Sequence, residues 1–470
     1  MSPRKVQARD LLLELDHSRP ASVSRQLEEQ MRGAIRSGAW VADEQLPSTR
    51  VLAEDLGVSR GVILRAYGQL AAEGYISLRQ GAAPTVRAAV HLDSETIRPP
   101  NGHPRIVYDL RPHLPDVATF PRQPWLRAVR ESLAQARVAD LTYSDSAGLW
   151  DLRVAVANYL SRARGVVAHP AQTLITAGST HSLSLLGRAL ARRGETRMAF
   201  ENPSHRGLRA VASMAGQTVV GAALDDSGVL PHTIDHADSL FVSPAHQFPT
   251  GVVLAPKRRK ALVEWARDAD VLILEDDYDA EFRYDRAPTG ALQSLAPERV
   301  VYFGSTGKTF APALRLGWMV LPEALVEDVS RELAGSMLHV SGLDQLAFAN
   351  FLQCGDFDRH LRRMRQVYSA RRNFTADLLA RLLPDHEVHG IAGGLHAVLG
   401  MPSHSAAAGI RMEARAQGVE IDSIDQHTFA DFGGRAGLVI GYGALPEPTL
   451  AEALGGLAEI IQSRESVLPG

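Results

Sequence analysis

The sequence predicts an α/β protein made of a small helical head and a larger α/β domain. The chain has 470 residues, more than a single domain usually contains. The first 86 residues show the pattern of short helices, whereas strand-like apolar runs alternate with longer helical segments from about residue 109. Three prolines between residues 99 and 104 exclude a regular helix there. We therefore expect domains over 1–86 and 109–470, joined by a semi-rigid linker over 87–108.

The composition is that of an ordinary globular protein. Hydrophobic residues make up 45% of the chain, charged residues 22%, and the formal net charge is −3, which excludes a disordered chain and points to no particular partner. The single cysteine, Cys354, cannot form an internal disulfide, and no signal peptide or long uncharged apolar run opens the sequence. We therefore expect a cytoplasmic protein without a membrane segment.

The head shows helical periodicity followed by an alternating segment. Apolar residues at helical spacing between Val23 and Ile35 predict a first helix. Two further helical runs are joined at Gly57, and Ser48 and Ser59 stand where each of them would be N-capped. Residues 74–81 alternate and then turn, which predicts a hairpin.

Three blocks of the head, Leu46–Arg50, Leu56–Arg60 and Glu73–Tyr75, resemble the winged helix-turn-helix of the GntR superfamily. The resemblance implies that the second helix of the motif enters the major groove of operator DNA with its N-terminus first. The expected contacts to double-stranded DNA come from Arg50, Ser59, Arg60, Gly61, Arg65 and Arg79. The competing interpretation is that the arginines are only solvated. Val62 stands where a polar residue is commoner, and it either contacts a thymine methyl group or faces inward.

The larger domain carries polar clusters directly after its predicted strands. Ligands of open parallel sheets bind at the carboxyl ends of the strands, so these clusters are candidate ligand contacts. The strand candidates are Thr173–Ile175, Leu240–Val242, Val271–Leu274 and Val300–Phe303.

Lys308 follows the last of these strands and has chemistry of its own. A lysine amine can form a Schiff base with an aldehyde cofactor, and Arg315 can clamp a phosphate through its planar guanidinium. The small-residue turn Ala177–His181 opens a helix, whose N-terminus favours an anion. The acidic run Glu275–Tyr284 allows either a solvated loop or a metal site, and the absence of ligand-spaced histidines argues against a metal.

In this order the clusters resemble the type I aminotransferase fold, and most closely the MocR/GabR regulators, which fuse that fold to a GntR head. The resemblance implies pyridoxal 5′-phosphate as the cofactor and Lys308 as its covalent anchor. Asp276 would pair with the pyridine nitrogen and Tyr278 would donate to the ring hydroxyl, which makes the ring an electron sink. The other expected cofactor contacts are Arg315, Ser179, Thr180 and Ser305 at the phosphate, His205 and His246 near the ring, and Tyr143 from the neighbouring subunit of a homodimer.

Two departures from that pattern bear on function. His205 stands where relatives commonly have a tyrosine stacked on the ring, and Val439 stands where amino-acid aminotransferases place the arginine that holds the substrate carboxylate. A valine cannot pair with a carboxylate. We therefore expect a DNA-binding regulator that senses pyridoxal phosphate, as the PdxR kind does, or a small amine or amino acid. The alternative is an active aminotransferase that also binds DNA, and a residual half-reaction is compatible with either function.

Overall fold

The computed structural model describes residues 13, 15–16, 21–36, 38–79, 81–87, 106–143, 145–284, 290–336, 339–390, 392–429 and 434–467. The chain divides into two compact units, 1–103 and 104–470. Most of the expected linker over 87–108 lies outside the described residues, which resume at 106. Within the described part of the chain, every helix is too short or too polar to span a bilayer.

The first unit is a helix-turn-helix followed by a hairpin. Its helices are α1 (Val23–Arg36), α2 (Thr49–Asp55) and α3 (Arg60–Ala72). Strands β1 (Ile76–Ser77) and β2 (Thr85–Val86) pair antiparallel, so the predicted wing is confirmed.

A small apolar core holds the three helices of the head together. Leu27, Ile63 and Leu70 are fully buried in it, and the Tyr67 hydroxyl donates to the Pro47 carbonyl at 2.9 Å. Val62 packs against this core, so it faces inward and not toward a thymine methyl group. The tyrosine bond joins α3 to the residues that precede α2 and so maintains the angle between the two helices.

The two predicted N-caps of the head differ. The Ser48 hydroxyl accepts from the Val51 backbone N–H at 3.3 Å, as expected for the cap of α2. Ser59 occupies the N-cap position of α3, but its side chain forms no cap hydrogen bond there. The hydroxyl of Ser59 is therefore left at the exposed start of α3.

The second unit is an α/β domain with an eight-stranded sheet, a four-stranded sheet and a two-stranded parallel sheet of β3 (Tyr108–Asp109) and β14 (Val419–Glu420). Its helices are α4 Arg122–Gln135, α5 Trp150–Arg164, α6 Ser179–Arg192, α7 Arg206–Met214, α8 Pro256–Asp268, α9 Glu323–Ser336, α10 Gly342–Gln353, α11 Asp356–Leu382, α12 His404–Ala416 and α13 Glu447–Val467. Its strands are β3 Tyr108–Asp109, β4 Thr173–Thr176, β5 Arg197–Asn202, β6 Thr218–Asp225, β7 Gly228–Val229, β8 Ser239–Val242, β9 Leu272–Asp276, β10 Val300–Ser305, β11 Gly317–Val320, β12 Val388–His389, β13 His396–Gly400, β14 Val419–Glu420, β15 Asp422–Ser423 and β16 Gly437–Gly441. The four strand candidates correspond to β4, β8, β9 and β10, and are confirmed with small shifts at their ends.

The large sheet has the strand order β4-β11-β10-β9-β8-β5-β6-β7. Its central strands β10, β9, β8, β5 and β6 run parallel, and β11 runs antiparallel between β10 and β4. Strands β8, β9 and β10 are buried along nearly their whole length, which explains why they consist mainly of apolar residues, whereas β6 is largely exposed or half-buried. Because β4 points the same way as the central strands, the loops after β4, β5, β8, β9 and β10 meet at one edge.

The smaller sheet, β12-β13-β16-β15, is antiparallel and packs against α12 and α13. Val439 lies in β16 opposite Val398 of β13 and is 0% exposed. With Ile424 these two valines form a small apolar cluster. The position that departs from the aminotransferase pattern is therefore part of a hydrophobic core.

Gly317 controls how closely β11 approaches the loop after β4. A Cβ atom at this position would lie 2.7 Å from the Cα of Gly178 and 2.8 Å from the carbonyl oxygen of Gly304. Both of these neighbours are backbone atoms, which cannot rotate away. The close approach fixes where α6 starts relative to the sheet.

We therefore expect Gly317→Ala to lower the free energy of unfolding by roughly 1–3 kcal/mol, because the added methyl group overpacks the backbone contact. Gly335→Ala is the control, since Gly335 lies in α9 with open space around it, and it should be neutral or stabilising by about 0.5–1 kcal/mol. Denaturant unfolding of the full chain measures both. Equal stability of the two variants would contradict the packing argument.

Candidate cofactor cavity and DNA-binding face

A cavity opens at the carboxyl edge of the large sheet, where the loops converge. It brings together most of the residues that the sequence nominated for cofactor contacts. Those that line it are Ser179, Thr180, His205, Asp276, Tyr278, Ser305, Lys308 and Arg315. Residues up to 136 positions apart in the chain thus become neighbours because parallel strands end at the same edge.

Asp276 is the last residue of β9 and is almost completely buried in the cavity wall. The Ser179 hydroxyl donates to its Oδ1 at 3.2 Å. Burial, together with the neighbouring Asp277 and Asp279, raises the pKa of the Asp276 carboxyl to about 7, although the Ser179 hydrogen bond and Lys308 act in the opposite direction. A buried carboxyl of this kind is suited to a protonated nitrogen in a bound ligand.

Lys308 lies in the turn after β10. Burial lowers the pKa of its amine to about 8, although the carboxylates of Asp276 and Asp279 act in the opposite direction. A larger fraction of the amine is therefore neutral near pH 7 than for an exposed lysine. Only the neutral amine is a nucleophile toward an aldehyde.

One end of the cavity is built to take an anion. Helix α6 begins at Ser179, and its N-cap, Gly178, has a φ of 103°. The open backbone N–H groups of the helix start favour a negative charge, and Thr180, Ser305 and Arg315 line the same part of the wall. The Ser179 hydroxyl, expected at the phosphate, donates to Asp276 instead, because that carboxyl is its nearest acceptor.

His205 forms part of the opposite wall. Its Nδ1 accepts from the Leu208 backbone N–H at 3.3 Å, which caps α7. Burial lowers the pKa of His205 to about 4, and His427, His113 and Lys308 lower it further. The imidazole is therefore neutral near pH 7, and its ring lies 5.4 Å from that of Phe248.

Several lining residues were not assigned a role from the sequence. Glu201 is the penultimate residue of β5 and accepts from the Ser243 backbone N–H at 3.0 Å, and burial raises its pKa to about 7. The buried Ser204 Oγ has no hydrogen-bond partner among the described residues. His113 also lines the wall, with a pKa that burial lowers to about 4. Glu201 stands at a strand end and was open to prediction, whereas His113 lies before α4 without any motif.

Two nominated residues lie elsewhere. His246, expected beside the ring, does not line the cavity. It is 2% exposed and lies behind Tyr278, whose hydroxyl is 3.1 Å from its Nδ1. Tyr143 is fully exposed and outside the cavity of its own chain. The sequence cannot rank depth within a loop, which is why the position of His246 was misjudged.

A buried polar cluster surrounds His246. Its Nδ1 bonds to Asp279 at 2.9 Å and its Nε2 to the Gly390 carbonyl at 3.1 Å, while His396 Nε2 bonds to the Pro249 carbonyl at 3.0 Å. One ligand-type atom from each of His246, Asp279 and His396 lies within 4.8 Å of the others. Hydrogen bonds account for both nitrogens of His246, and we propose no metal there.

Asp277 points away from the cavity. Arg164 donates to both of its carboxylate oxygens, at 2.8 and 3.1 Å, and Tyr302 donates to it as well. Asp277 directly follows β9 and still donates its backbone N–H to the Phe303 carbonyl of β10 at 3.1 Å, so the alternation of side chains places it on the opposite side of the sheet from Asp276. The sequence assigned Asp277 no cofactor role, and its partners give it a structural one.

The head presents its nominated DNA contacts on the surface. Arg50, Ser59, Arg60, Gly61, Arg65 and Arg79 are all exposed. The Arg60 Nε donates to Thr49 Oγ1 at 3.2 Å, a bond that bridges α2 and α3 at the start of α3. Leu64 is also largely exposed on α3 and offers an apolar contact beside the arginines.

The donors in the cavity fit pyridoxal 5′-phosphate. The buried Asp276 carboxyl has a hydroxyl as its hydrogen-bond partner, the Lys308 amine is partly neutral, and the helix start beside Arg315 suits a phosphate. Ser204 Oγ offers a further buried polar group. A winged helix-turn-helix followed by an aminotransferase-type domain with such a cavity defines a cofactor-binding transcriptional regulator.

Comparison with known proteins agrees with both halves of this description. Residues 116–428 match the family described as aminotransferase class I and II, and residues 23–86 match the bacterial regulatory proteins of the gntR family. The HTH-type pyridoxine biosynthesis transcriptional regulator PdxR of Corynebacterium glutamicum is 33% identical over 96% of this chain and 99% of its own. The probable rhizopine catabolism regulatory protein MocR of Rhizobium meliloti is 30% identical over 97% of each chain.

Solved structures resemble the second unit. An archaeal alanine:glyoxylate aminotransferase superposes with a TM-score of 0.70 at 21% identity and covers 76% of this chain and 91% of its own. The α-aminoadipate aminotransferase LysN of Thermus thermophilus, complexed with N-(5′-phosphopyridoxyl)-L-leucine, gives 0.68 at 25% identity over 77% and 93%. The chain belongs to the MocR/PdxR family of GntR-type transcriptional regulators that carry an aminotransferase class I and II domain.

The raised pKa of Asp276 predicts a pH dependence of stability in the cofactor-free protein. The folded chain keeps a proton on this carboxyl between its ordinary pKa, near 3.8, and about 7. The unfolding free energy that this group contributes is therefore full at low pH and is lost as the pH rises through that window. In the Asp276→Asn variant this contribution should disappear.

Denaturant unfolding at about pH 5 and pH 8 measures the effect. The free energy of unfolding of wild type, relative to that of Asp276→Asn, should fall from pH 5 to pH 8. The exposed Asp226→Asn control should show no such trend. A difference that is constant with pH would contradict the burial argument for Asp276.

Proposed function

We propose that this regulator binds operator DNA through residues 1–86 and senses pyridoxal 5′-phosphate, or a small amine that reacts with it, through residues 109–470. The cofactor of the second unit is pyridoxal phosphate, and the first unit is a DNA-binding head. The name of the PdxR relative, a pyridoxine biosynthesis regulator, supports the cofactor itself as the signal. We further propose that the protein acts in the cytoplasm.

In the proposed complex each part of the cavity has one task. Lys308 holds the cofactor covalently, Asp276 pairs with its ring nitrogen, and Tyr278 donates to its ring oxygen. The phosphate lies at the start of α6, contacted by Thr180, Ser305, Arg315 and the Ser179 backbone, and His205 faces the ring. When bound, pyridoxal phosphate supplies an electrophilic aldehyde carbon and a ring that accepts electrons.

The observation that carries this proposal is the environment of Val439. This residue is 0% exposed and packs on Val398 and Ile424, so no guanidinium stands where an aminotransferase would grip a substrate carboxylate. Arg209 does not replace it, because its guanidinium stacks on the Phe429 ring at 4.4 Å, and Arg206 lines an adjoining cavity with His113 and His205 and not the one that contains Lys308. An α-amino acid would lose its bidentate anchor.

We propose a homodimer in which Tyr143 of one protomer reaches the cavity of its partner. Tyr143 is fully exposed, and exposed apolar residues lie near it in sequence, with Val138 88% and Leu141 60% exposed. Leu126 and Leu133 of α4 are also about half exposed. Apolar surface of this kind is typical of an interface. Ligand binding would regulate transcription if it favoured one arrangement of the two heads over another.

One observation supports the alternative function, an aminotransferase that also binds DNA. Lys308, Asp276 and Tyr278 all line the cavity, and they are the groups that transamination needs. The difference between the two functions lies in turnover, which can be measured directly.

We expect the purified protein loaded with pyridoxal phosphate to show a visible absorbance band that Lys308→Ala abolishes, because the band depends on the covalent bond to the amine. Thermal unfolding of Lys308→Ala is the control for folding. No band and no spectral change in wild type would contradict cofactor binding. If the protein instead forms more than one equivalent of product per protomer from amino acids and a 2-oxo acid, the alternative function as an aminotransferase is established.

We expect Arg60→Ala to weaken binding to an operator selected in vitro by roughly 1–3 kcal/mol, the cost of one lost bidentate base contact. Arg331→Ala is the control, since Arg331 is an exposed residue of α9 in the second unit. Fluorescence anisotropy at fixed salt measures both. Wild-type affinity in Arg60→Ala would remove this side chain from the DNA interface.

A further inference from the structure

His246 lies between Asp279 and Tyr278 beneath the cavity. Its Nδ1 is 2.9 Å from Asp279 Oδ2 and 3.1 Å from the Tyr278 hydroxyl, and its Nε2 is 3.1 Å from the Gly390 carbonyl oxygen. His246 and Asp279 are 2% and 1% exposed in their side chains. Of these residues, Tyr278 is the one that lines the cavity.

The nearest partner of each ring nitrogen of His246 can only accept a hydrogen bond: Asp279 at Nδ1, which is nearer than the Tyr278 hydroxyl, and the Gly390 carbonyl at Nε2. A carboxylate has no proton to donate, and neither has a backbone carbonyl. Each nitrogen must therefore carry a proton, which makes His246 an imidazolium. Burial acts against this charge, but the Asp279 carboxylate outweighs it and raises the pKa of His246.

The other titratable groups around this imidazole do not reverse that conclusion. Arg283 lowers the pKa of His246, but less than Asp279 raises it. The ring of His396 lies 4.8 Å away, and burial and then His246 itself hold the pKa of His396 well below its usual range. His396 is therefore neutral, and the cation–carboxylate pair of His246 and Asp279 is the charged unit beside Tyr278.

We propose that Asp279 and His246 are positioning residues that keep the hydroxyl proton of Tyr278 directed into the cavity. Because Nδ1 donates, it cannot accept the phenol proton, and the phenol oxygen can only accept from it. The O–H of Tyr278 can then donate to an oxygen of the ligand, in competition with the Asp279 carboxylate, which also interacts with the phenol. This inference rests on the proposed binding of pyridoxal phosphate, whose ring oxygen would be that acceptor.

The pair also explains why Tyr278 remains a donor. Burial, and next the Asp279 carboxylate, raise the pKa of the phenol well above its usual range, so the proton stays on its oxygen. Without the carboxylate, burial would make His246 neutral, and the Gly390 carbonyl would retain the proton on Nε2. The lone pair then left on Nδ1 would accept the Tyr278 proton and turn it away from the ligand.

The experiment is a pH titration of the visible absorbance band in the cofactor-loaded full chain. Asp279→Asn should shift the midpoint of the band in the same direction as Tyr278→Phe, by roughly one pH unit, the equivalent of one hydrogen bond. The double variant should shift no further than Tyr278→Phe. Asp116→Asn is the matched control, because it breaks a buried pair with Arg371 that does not line the cavity, and it should leave the midpoint unchanged.

A second variant guards against loss of folding in Asp279→Asn. His246→Asn removes the cation and should shift the midpoint in the same direction. Three results would overturn the inference. The first is a wild-type midpoint in both variants, and the second is shifts that add in the Asp279→Asn/Tyr278→Phe double variant. The third is a shift opposite to that of Tyr278→Phe. An opposite shift would mean that Tyr278 donates to Asp279. A wild-type protein with no band would contradict the cofactor proposal itself.

Discussion

The cavity depends on the alternation of side chains along β9. Glu275 points to one side of the sheet and Asp276 to the other, and Asp277, which directly follows β9 and still donates its backbone N–H to the Phe303 carbonyl at 3.1 Å, points to the same side as Glu275. On the first side Glu275 accepts from the backbone N–H groups of Leu292 and Gln293, at 2.7 and 2.8 Å, and Asp277 is bound by Arg164. A shift of one residue would bring Asp277 into the cavity and leave Arg164 buried without its partner, which costs about 3–5 kcal/mol for a broken buried pair. The buried anchors therefore fix the register of the strand and with it the place of Asp276.

Burial then sets the protonation states in the cavity. The same desolvation raises the pKa of Asp276 and lowers those of Lys308 and His205, because each charged form loses water. The cavity thus combines a partly neutral amine, a carboxyl ready to hold a proton and an uncharged imidazole wall. This environment suits an aldehyde cofactor with a basic ring nitrogen. With Val439 buried in the smaller sheet, it provides no cation for a substrate carboxylate at that position.

Local patterns predicted the elements of the head, and they nominated residues that the fold brings together in one cavity, whose roles toward the cofactor stay predictions. Helical spacing and cap residues correctly located α1 to α3, and apolar runs followed by polar clusters located β4, β8, β9 and β10. The sequence did not predict positions that depend on how deeply a side chain is buried or on partners that are distant in the chain. His246 was expected at the ring but lies behind Tyr278, and the Ser179 hydroxyl is drawn to Asp276. His113 lines the cavity from a segment without any motif.

The sequence alone therefore indicates the chemistry that follows from the type and the order of its residues. A lysine after one buried strand, an acidic run after another and an arginine-bearing helix-turn-helix, together with the family resemblance they carry, indicated the cofactor, the fold and the partner. Only the tertiary structure shows which side-chain nitrogen lies opposite which carboxylate, hydroxyl or carbonyl oxygen. His246 becomes an imidazolium through contacts with Asp279 and Gly390, and Val439 is buried partly by Val398; each of these partners lies more than 30 residues away in sequence, and no local pattern encodes such contacts.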